Sequence, residues 1–224
     1  MKTNICTKGI LIEECKNRFI CKVLINEETE ECYLPLSSKL KNYMDVNYNE
    51  VSLTYNQSKN SRTRMSVFAI KNKEDYILIN SKIINSLVRE KIINEFKINE
   101  DKFFEEKKIE DYKCDLFIEG NEEIIIEIKT FIPDKDINVF PKVHSTRAIR
   151  QLSQIISLLD KGLNIHYYII GLSNNVKSVS INKNEEEYFK LLKKAIRKGL
   201  KLRGFNIQIS EEDVKIDEDI IIEI

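Results

Sequence analysis

No stretch of this chain stays apolar for the roughly 20 residues that a bilayer-spanning helix needs, so nothing in it reads as a membrane anchor. Its start, MKTNICTKGILIEECKNRF, lacks the apolar core and small-residue cleavage site of a secretory signal. Glycine and proline are scarce, 6 and 3 among 224 residues, and there is neither an internal repeat nor a low-complexity linker. The five cysteines (Cys6, Cys15, Cys21, Cys32, Cys114) are odd in number and never spaced as C-x-x-C, so they match no zinc ribbon or finger. They read as reduced, strand-buried thiols of a cytoplasmic protein. Net charge is absent too: 36 basic residues meet 36 acidic ones, which argues against a generally basic coat for nucleic acid but not against local patches.

What is present is an ordinary globular composition, 42% hydrophobic, that changes texture near residue 80. GILIEEC, RFICKVLI, ECYLPL, EVSLTY, MSVFAI and YILIN are short β-rich runs separated by polar turns, with a possible turn at SSKLKNY. Five or six short strands in that space predict an OB-fold-like small barrel over residues 1–80. From Ser81 the pattern is α/β. Ser81 is placed to cap a helix whose stripe is Ile84, Leu87, Val88, Ile92 and Phe96. KFFEEKKIED reads as a strand, then KCDLFIE and EEIIIEIKTF as a hairpin. STRAIRQLSQIISLLDKG is a helix opening at Ser145 or Thr146, with Gly162 past its end. A strand NIHYYIIGL, a helix EEEYFKLLKKAIRKGL and the strands KLRGFNIQI and DEDIIIEI complete residues 81–224.

The hairpin carries the chemistry. Its second strand is nearly all isoleucine yet holds Glu127 and Lys129, which share a face because strand residues two apart point the same way. A carboxylate two residues before a lysine is what chance supplies several times in so charged a chain, and a surface pair is the plain alternative. Asp115 on the preceding strand sharpens the reading. Two carboxylates from adjacent strands make hard oxygen ligands for Mg²⁺, and a nearby lysine can position or deprotonate an attacking water. The register decides. A two-residue turn at Gly120-Asn121 sets Asp115 against Ile126, on the wrong face. A three- or five-residue connection sets it against Glu127. Glu90, on the helix before the hairpin, is the candidate for a further carboxylate, with Glu95 behind it.

Six segments, taken together, resemble the sugar fermentation stimulation protein A family. YKCDLF (Tyr112–Phe117), EIKTFI (Glu127–Ile132) and FPKVHSTRAIRQLSQI (Phe140–Ile155) follow the family's S-R-x-D-F, E-V-K-x-x-T and F-P-D-A-x-T-x-R-G-x-K-H-L-x-E-L in order. INSKIINSLVREKI matches V-N-T-x-x-x-N-x-L-x-x-E-A-I at Asn80, Asn85, Leu87 and Glu90, and NRFICKVLI and CYLPLSSKL resemble the barrel's motifs. The resemblance implies an OB-fold followed by a PD-(D/E)xK restriction-endonuclease-like α/β domain, with Asp115, Glu127 and Lys129 as its core residues and Glu90 in support. The chain departs from the pattern at Lys113 (family Arg), Lys142 (Asp), Gln151 (His), Gln154 (Glu) and Leu36-Ser37-Ser38 (Asn-Thr-Gly).

Local basic clusters offset the neutral total. KNSRTR, with Lys59, Arg62 and Arg64, belongs to a barrel loop. KVHSTRAIR, with Lys142, His144, Arg147 and Arg150, opens a helix whose amides favour phosphate. The third cluster, Lys190–Arg203, reads as the solvated face of a helix. The expectation is therefore a cytoplasmic protein that binds DNA or RNA and hydrolyses phosphodiesters with Mg²⁺ held by Asp115 and Glu127. The rival is a catalytically inactive DNA-binding regulator of sugar use on the same scaffold; a protein-interaction module with merely superficial charges comes third.

Overall fold

The computed structural model describes residues 1–17, 19–36, 39–43, 48–56, 58, 60–72, 75–133 and 138–224. Ser37, Ser38 and Lys59 lie outside them. The first sheet contains β1 (Thr7–Glu14), β2 (Ile20–Ile25), β3 (Glu28–Tyr33), β4 (Glu50–Tyr55), β5 (Met65–Asn72) and β6 (Asp75–Leu78). β1 pairs with β2 and β4, β2 with β3, and β4 with β5; a parallel contact between Tyr33 and Ser66 joins β3 to β5 and closes a five-stranded barrel. That is the OB arrangement. Closure brings β1 hard against β2 at Gly9, where an added Cβ would lie 2.5 Å from a Val23 methyl. A short 3₁₀ turn at Leu40–Asn42 stands where SSKLKNY promised one.

All five cysteines are free, with Cys21, Cys32 and Cys114 buried and Cys6 and Cys15 half-buried. Burial pushes the Cys32 thiol up to about 12, so it stays protonated and inert.

Beyond the barrel come α1 (Ile84–Phe96), β7 (Phe103–Glu105), the small ladder of β8 (Lys108–Ile109) with β9 (Tyr112–Lys113), β10 (Leu116–Ile118) and β11 (Ile124–Phe131). They are followed by β12 (Val139–Phe140), α2 (Thr146–Asp160), β13 (Asn164–Gly171), β14 (Ser178–Ile181), α3 (Glu186–Arg197), β15 (Lys201–Ile209) and β16 (Val214–Glu223). The eight-stranded sheet has the order β12-β14-β16-β15-β13-β11-β10-β7. Strands β11, β13 and β15 are mutually parallel at its centre. Burial on both faces explains the nearly unbroken isoleucine of β11.

Three expectations about the elements change. Ser81 does not cap α1: Ser81–Ile83 form a 3₁₀ turn, and the helix starts one turn later with no side-chain cap. Of the α1 stripe, Ile84, Leu87, Val88 and Ile92 are buried, but Phe96 is exposed because the chain turns into a left-handed Lys97 immediately after it. KFFEEKKIED is broken into β7 and β8 rather than running as one strand.

The sheet separates two apolar layers. On one side, Ile126 and Ile128 join α1 and the barrel in a single cluster. On the other, Ile125 and Phe131 pack with Leu152 and Ile155 of α2 and Tyr188 and Leu192 of α3. Two bridges tie the halves together: Lys2, at the chain's start, bridges Asp213, and Ile77 of β6 bridges Ser173.

Helix α2 is amphipathic and properly capped: the Ser145 hydroxyl accepts the Ala148 N–H at 3.2 Å. Ser145→Ala should therefore cost about 1 kcal/mol of stability, read as a lower urea midpoint with an unchanged denaturant slope.

Candidate active-site cleft

The β10–β11 connection spans residues 119–123, and the ladder pairs Leu116 with Ile126, Phe117 with Ile125 and Ile118 with Ile124. Continued by one step, this register sets Asp115 opposite Glu127, as the five-residue alternative requires. Side chains alternate along β11, so Ile126 and Ile128 enter the barrel-side core while Ile125, Glu127 and Lys129 point toward α2.

Glu127 is only 1% exposed, and a buried carboxylate is tolerated when its oxygens are matched by donors. Both are matched. The Tyr112 hydroxyl donates to Oε2, and the Lys129 ammonium donates to Oε1. Lys129 Nζ also donates to the side-chain oxygen of Gln151, 2.9 Å away on α2. Tyr112, Glu127, Lys129 and Gln151 thus form one hydrogen-bonded chain from the β8–β9 ladder through the central sheet to the helix. Burial and the Glu127 charge push the Tyr112 phenol far above its usual range, which keeps it a donor.

Asp115 Oδ2 accepts the Ile128 N–H at 2.7 Å, fixing the carboxyl against the backbone of the next strand. Burial, and then the neighbouring Glu127 charge, raise Asp115 to about 6. The Ile128 amide and the charges of Lys129 and Arg147 only partly oppose this.

Two clefts meet at these groups. One, of about 410 Å³, is lined by Asp115, Glu127, Lys129, Lys142, Arg147 and Gln151, with Tyr43 of the barrel on its wall. The other, of about 400 Å³, holds Tyr112, Lys113, Arg150 and Gln154 and shares Asp115, Arg147 and Gln151 with the first. The structure therefore brings together Asp115, Glu127, Lys129, Lys142, Arg147 and Arg150.

Glu90 is not among them, which corrects the expectation of a supporting carboxylate. It sits on α1, on the barrel side of the sheet, whereas Glu127 points to the α2 side. Glu90 is more than half exposed, 3.5 Å from the N-terminal ammonium, in a separate cleft with Arg203 and Lys215. Glu95 pairs with Arg203 at 2.7 Å. Arg62 and Arg64 are apart as well, on the β4–β5 loop of the barrel, where Arg62 meets Glu31 at 3.3 Å and Arg64 lies over Tyr55.

The departures from the family pattern have places in this geometry. Lys142 is exposed with its ammonium 5.3 Å over the Tyr43 ring, so the cation bonded to the buried carboxylate is Lys129. Gln151 holds Lys129, Gln154 donates to the Asp111 carbonyl at 3.0 Å, and Lys113 pairs with Glu106 at 2.7 Å. Tyr112 and Gln151 were not among the sequence candidates. Nothing in sequence spacing signals Tyr112, whose partner lies across a loop; Gln151 was visible only as a departure.

Among the described residues no cluster of three or more His, Cys, Asp or Glu side chains stands ready for a metal. The donor set at the cleft is two carboxylates and an amide oxygen. All are hard oxygen ligands, a chemistry that fits Mg²⁺ or Ca²⁺ and not a thiophilic metal.

A closed OB barrel followed by a restriction-endonuclease-like α/β sheet, with an acidic pair and a lysine beside its central hairpin, defines a nuclease-like class of fold. Within that class, residues 78–213, more than half of the chain, match the model of the sugar fermentation stimulation protein RE domain, and the chain belongs to that family. A sugar fermentation stimulation protein homolog of Clostridium botulinum strain Langeland is 27% identical over 97% of this chain and 99% of its own length. The homolog of strain Loch Maree is 26% identical over the same shares. The solved structure of Pyrococcus furiosus SfsA in complex with Ca²⁺ superposes with a TM-score of 0.81 at 22% identity and covers all of both chains. No helix among the described residues is long and apolar enough to cross a membrane.

Tyr112→Phe removes the donor to Glu127 Oε2 while keeping the ring. It should destabilise the fold by about 1–3 kcal/mol, the usual cost of orphaning a buried polar atom, as measured by denaturant unfolding.

Proposed function

We propose that this protein binds DNA or RNA and hydrolyses phosphodiesters with a divalent ion held by Asp115 and Glu127. The barrel, residues 1–80, acts as an additional binding unit and residues 81–224 as the hydrolytic one. The observation that carries this reading is the convergence of Asp115, Glu127 and Lys129 on a cleft lined by Lys142 and Arg147, with Arg150 in the cleft that adjoins it. The Ca²⁺ in the P. furiosus structure supports a divalent ion as the partner of such a fold.

When bound, the ion supplies Lewis-acid stabilisation of the negative charge that builds on the phosphate. The chain's own residues do the rest. Arg147, on the first turn of α2, neutralises phosphate where the two clefts meet. Tyr112 fixes one oxygen of Glu127, leaving the other to Lys129 or to a cation that competes with it. Gln151 holds the Lys129 ammonium on the cleft side, where it can orient a water or meet developing charge.

The same contacts give substance to the second reading, binding without cleavage. Glu127 is already engaged by Lys129, and Gln151 cannot exchange a proton as the family's histidine can.

Mg²⁺-dependent cleavage of a mixed DNA and RNA panel is expected, with Asp115→Ala and Lys129→Ala slower by about a hundredfold or more. Salt-sensitive binding with no cleavage by the unaltered protein would instead establish the regulator, and no binding at low salt would remove both readings.

A second expectation concerns pH. The folded state holds the Asp115 proton up to about 6 against an ordinary 3.8, so ionisation costs stability as pH rises through that window. An ion needs the carboxylate. Ca²⁺ affinity, measured by calorimetry, should therefore be full above about pH 6 and fall roughly tenfold per unit below it.

A further inference from the structure

A further cleft, of about 600 Å³, opens where the barrel meets the start of the chain, and it shares no residue with the carboxylate site. Its walls are Tyr33 at the end of β3, Tyr55 at the end of β4, Ser66 and Phe68 on β5, and Lys2 and Lys82 from the segments that cross to the second sheet. The lining contains no carboxylate among the described residues, in a chain with 36 acidic side chains. Lys2 and Lys82 are exposed, and neither is ion-paired with a described residue.

The cations lie beside aromatic faces. Lys82 Nζ is 5.2 Å over the Tyr33 ring, and the Arg64 guanidinium is 5.3 Å over Tyr55. Tyr55 is nonetheless 54% exposed, an unusual degree for a ring flanked by a barrel. Asn80, which also lines the cleft, has a buried side-chain oxygen that no donor among the described residues satisfies. The position fits as well: the cleft lies at the seam where β3 meets β5, beside the β4–β5 loop, and OB barrels engage oligonucleotides through loops of this kind.

We propose that this cleft is a base-stacking site for single-stranded nucleic acid. A base lies against Tyr55, and Lys82 and Lys2 meet the adjoining phosphates. An exposed ring beside cations that pair with no described carboxylate is the combination that holds single strands with little sequence preference, because every base has a stacking face. A duplex keeps its bases stacked on each other and gains only the phosphate contacts. The inference rests on the reading that the ligand is nucleic acid, and it assigns the barrel a role apart from the hydrolytic cleft.

The test is fluorescence anisotropy of a labelled twelve-nucleotide single strand of mixed sequence with the full chain, in chelator so that nothing is cut. The unaltered protein should bind the strand more tightly than the matching duplex. Tyr55→Ala should weaken strand binding about tenfold, as loss of one base stack does. Lys82→Gln should flatten the slope of log affinity against log salt by about 0.7, the share of one phosphate contact, and Lys82→Arg should restore it. Equal binding by all these variants, no binding by the unaltered protein, or a mononucleotide that competes as strongly as the strand would each overturn the proposal. The Mg²⁺-dependent cleavage assay is a separate readout, so the hydrolytic reading stands or falls independently.

Discussion

The site depends on one buried carboxylate. Glu127 lies in the middle of β11, almost wholly buried at the base of the cleft, where an unmatched charge would cost several kcal/mol. The structure meets that cost from three directions. A tyrosine arrives from a small two-stranded ladder, a lysine from two residues along the same strand, and a glutamine on α2 steadies the lysine. Each partner is held by a different element, so the hairpin, the ladder and the helix must all be in place for the carboxylate to be tolerated. This buried carboxylate is thereby also a point where the α/β part is locked together.

The sheet acts as a partition as well as a scaffold. Alternation along β11 sends Ile126 and Ile128 into the layer shared with α1 and the barrel, and Glu127 and Lys129 into the layer with α2. Glu90 and the carboxylates are therefore on opposite sides of the same strands. A helix position that matches the family pattern does not by itself deliver a side chain to the cleft. Asp115 reaches the α2 side because the β10–β11 connection has odd length, a matter of one residue in register.

The barrel is not merely appended. Its Tyr43 forms part of the wall of the carboxylate cleft, its β6 bridges Ser173, and the first residues of the chain pair with the β15–β16 turn. The apolar core on that side runs without a break from Leu11 of β1 to Ile207 of β15. Any ligand that spans barrel and cleft therefore meets a surface whose two halves are braced against each other.

Much of this was legible in the residues. Short β-rich runs before residue 80, amphipathic helices after it, an isoleucine strand buried on both faces and Ser145 at a helix start all follow from side-chain periodicity and local capping, which act over a few residues. The narrowing of the hairpin to two registers was also legible, because parity is a local rule. The rest depended on contacts between distant segments. Tyr112 meeting Glu127, Gln151 meeting Lys129, Lys142 turned toward Tyr43 and Glu90 stranded across the sheet all depend on how elements pack, which no spacing encodes. The sequence by itself determined which elements form and which residue types could hold a metal. Only the tertiary structure decided which of them share a cleft, because a side chain's face is set by its own strand or helix while its neighbours are set by the packing of the whole.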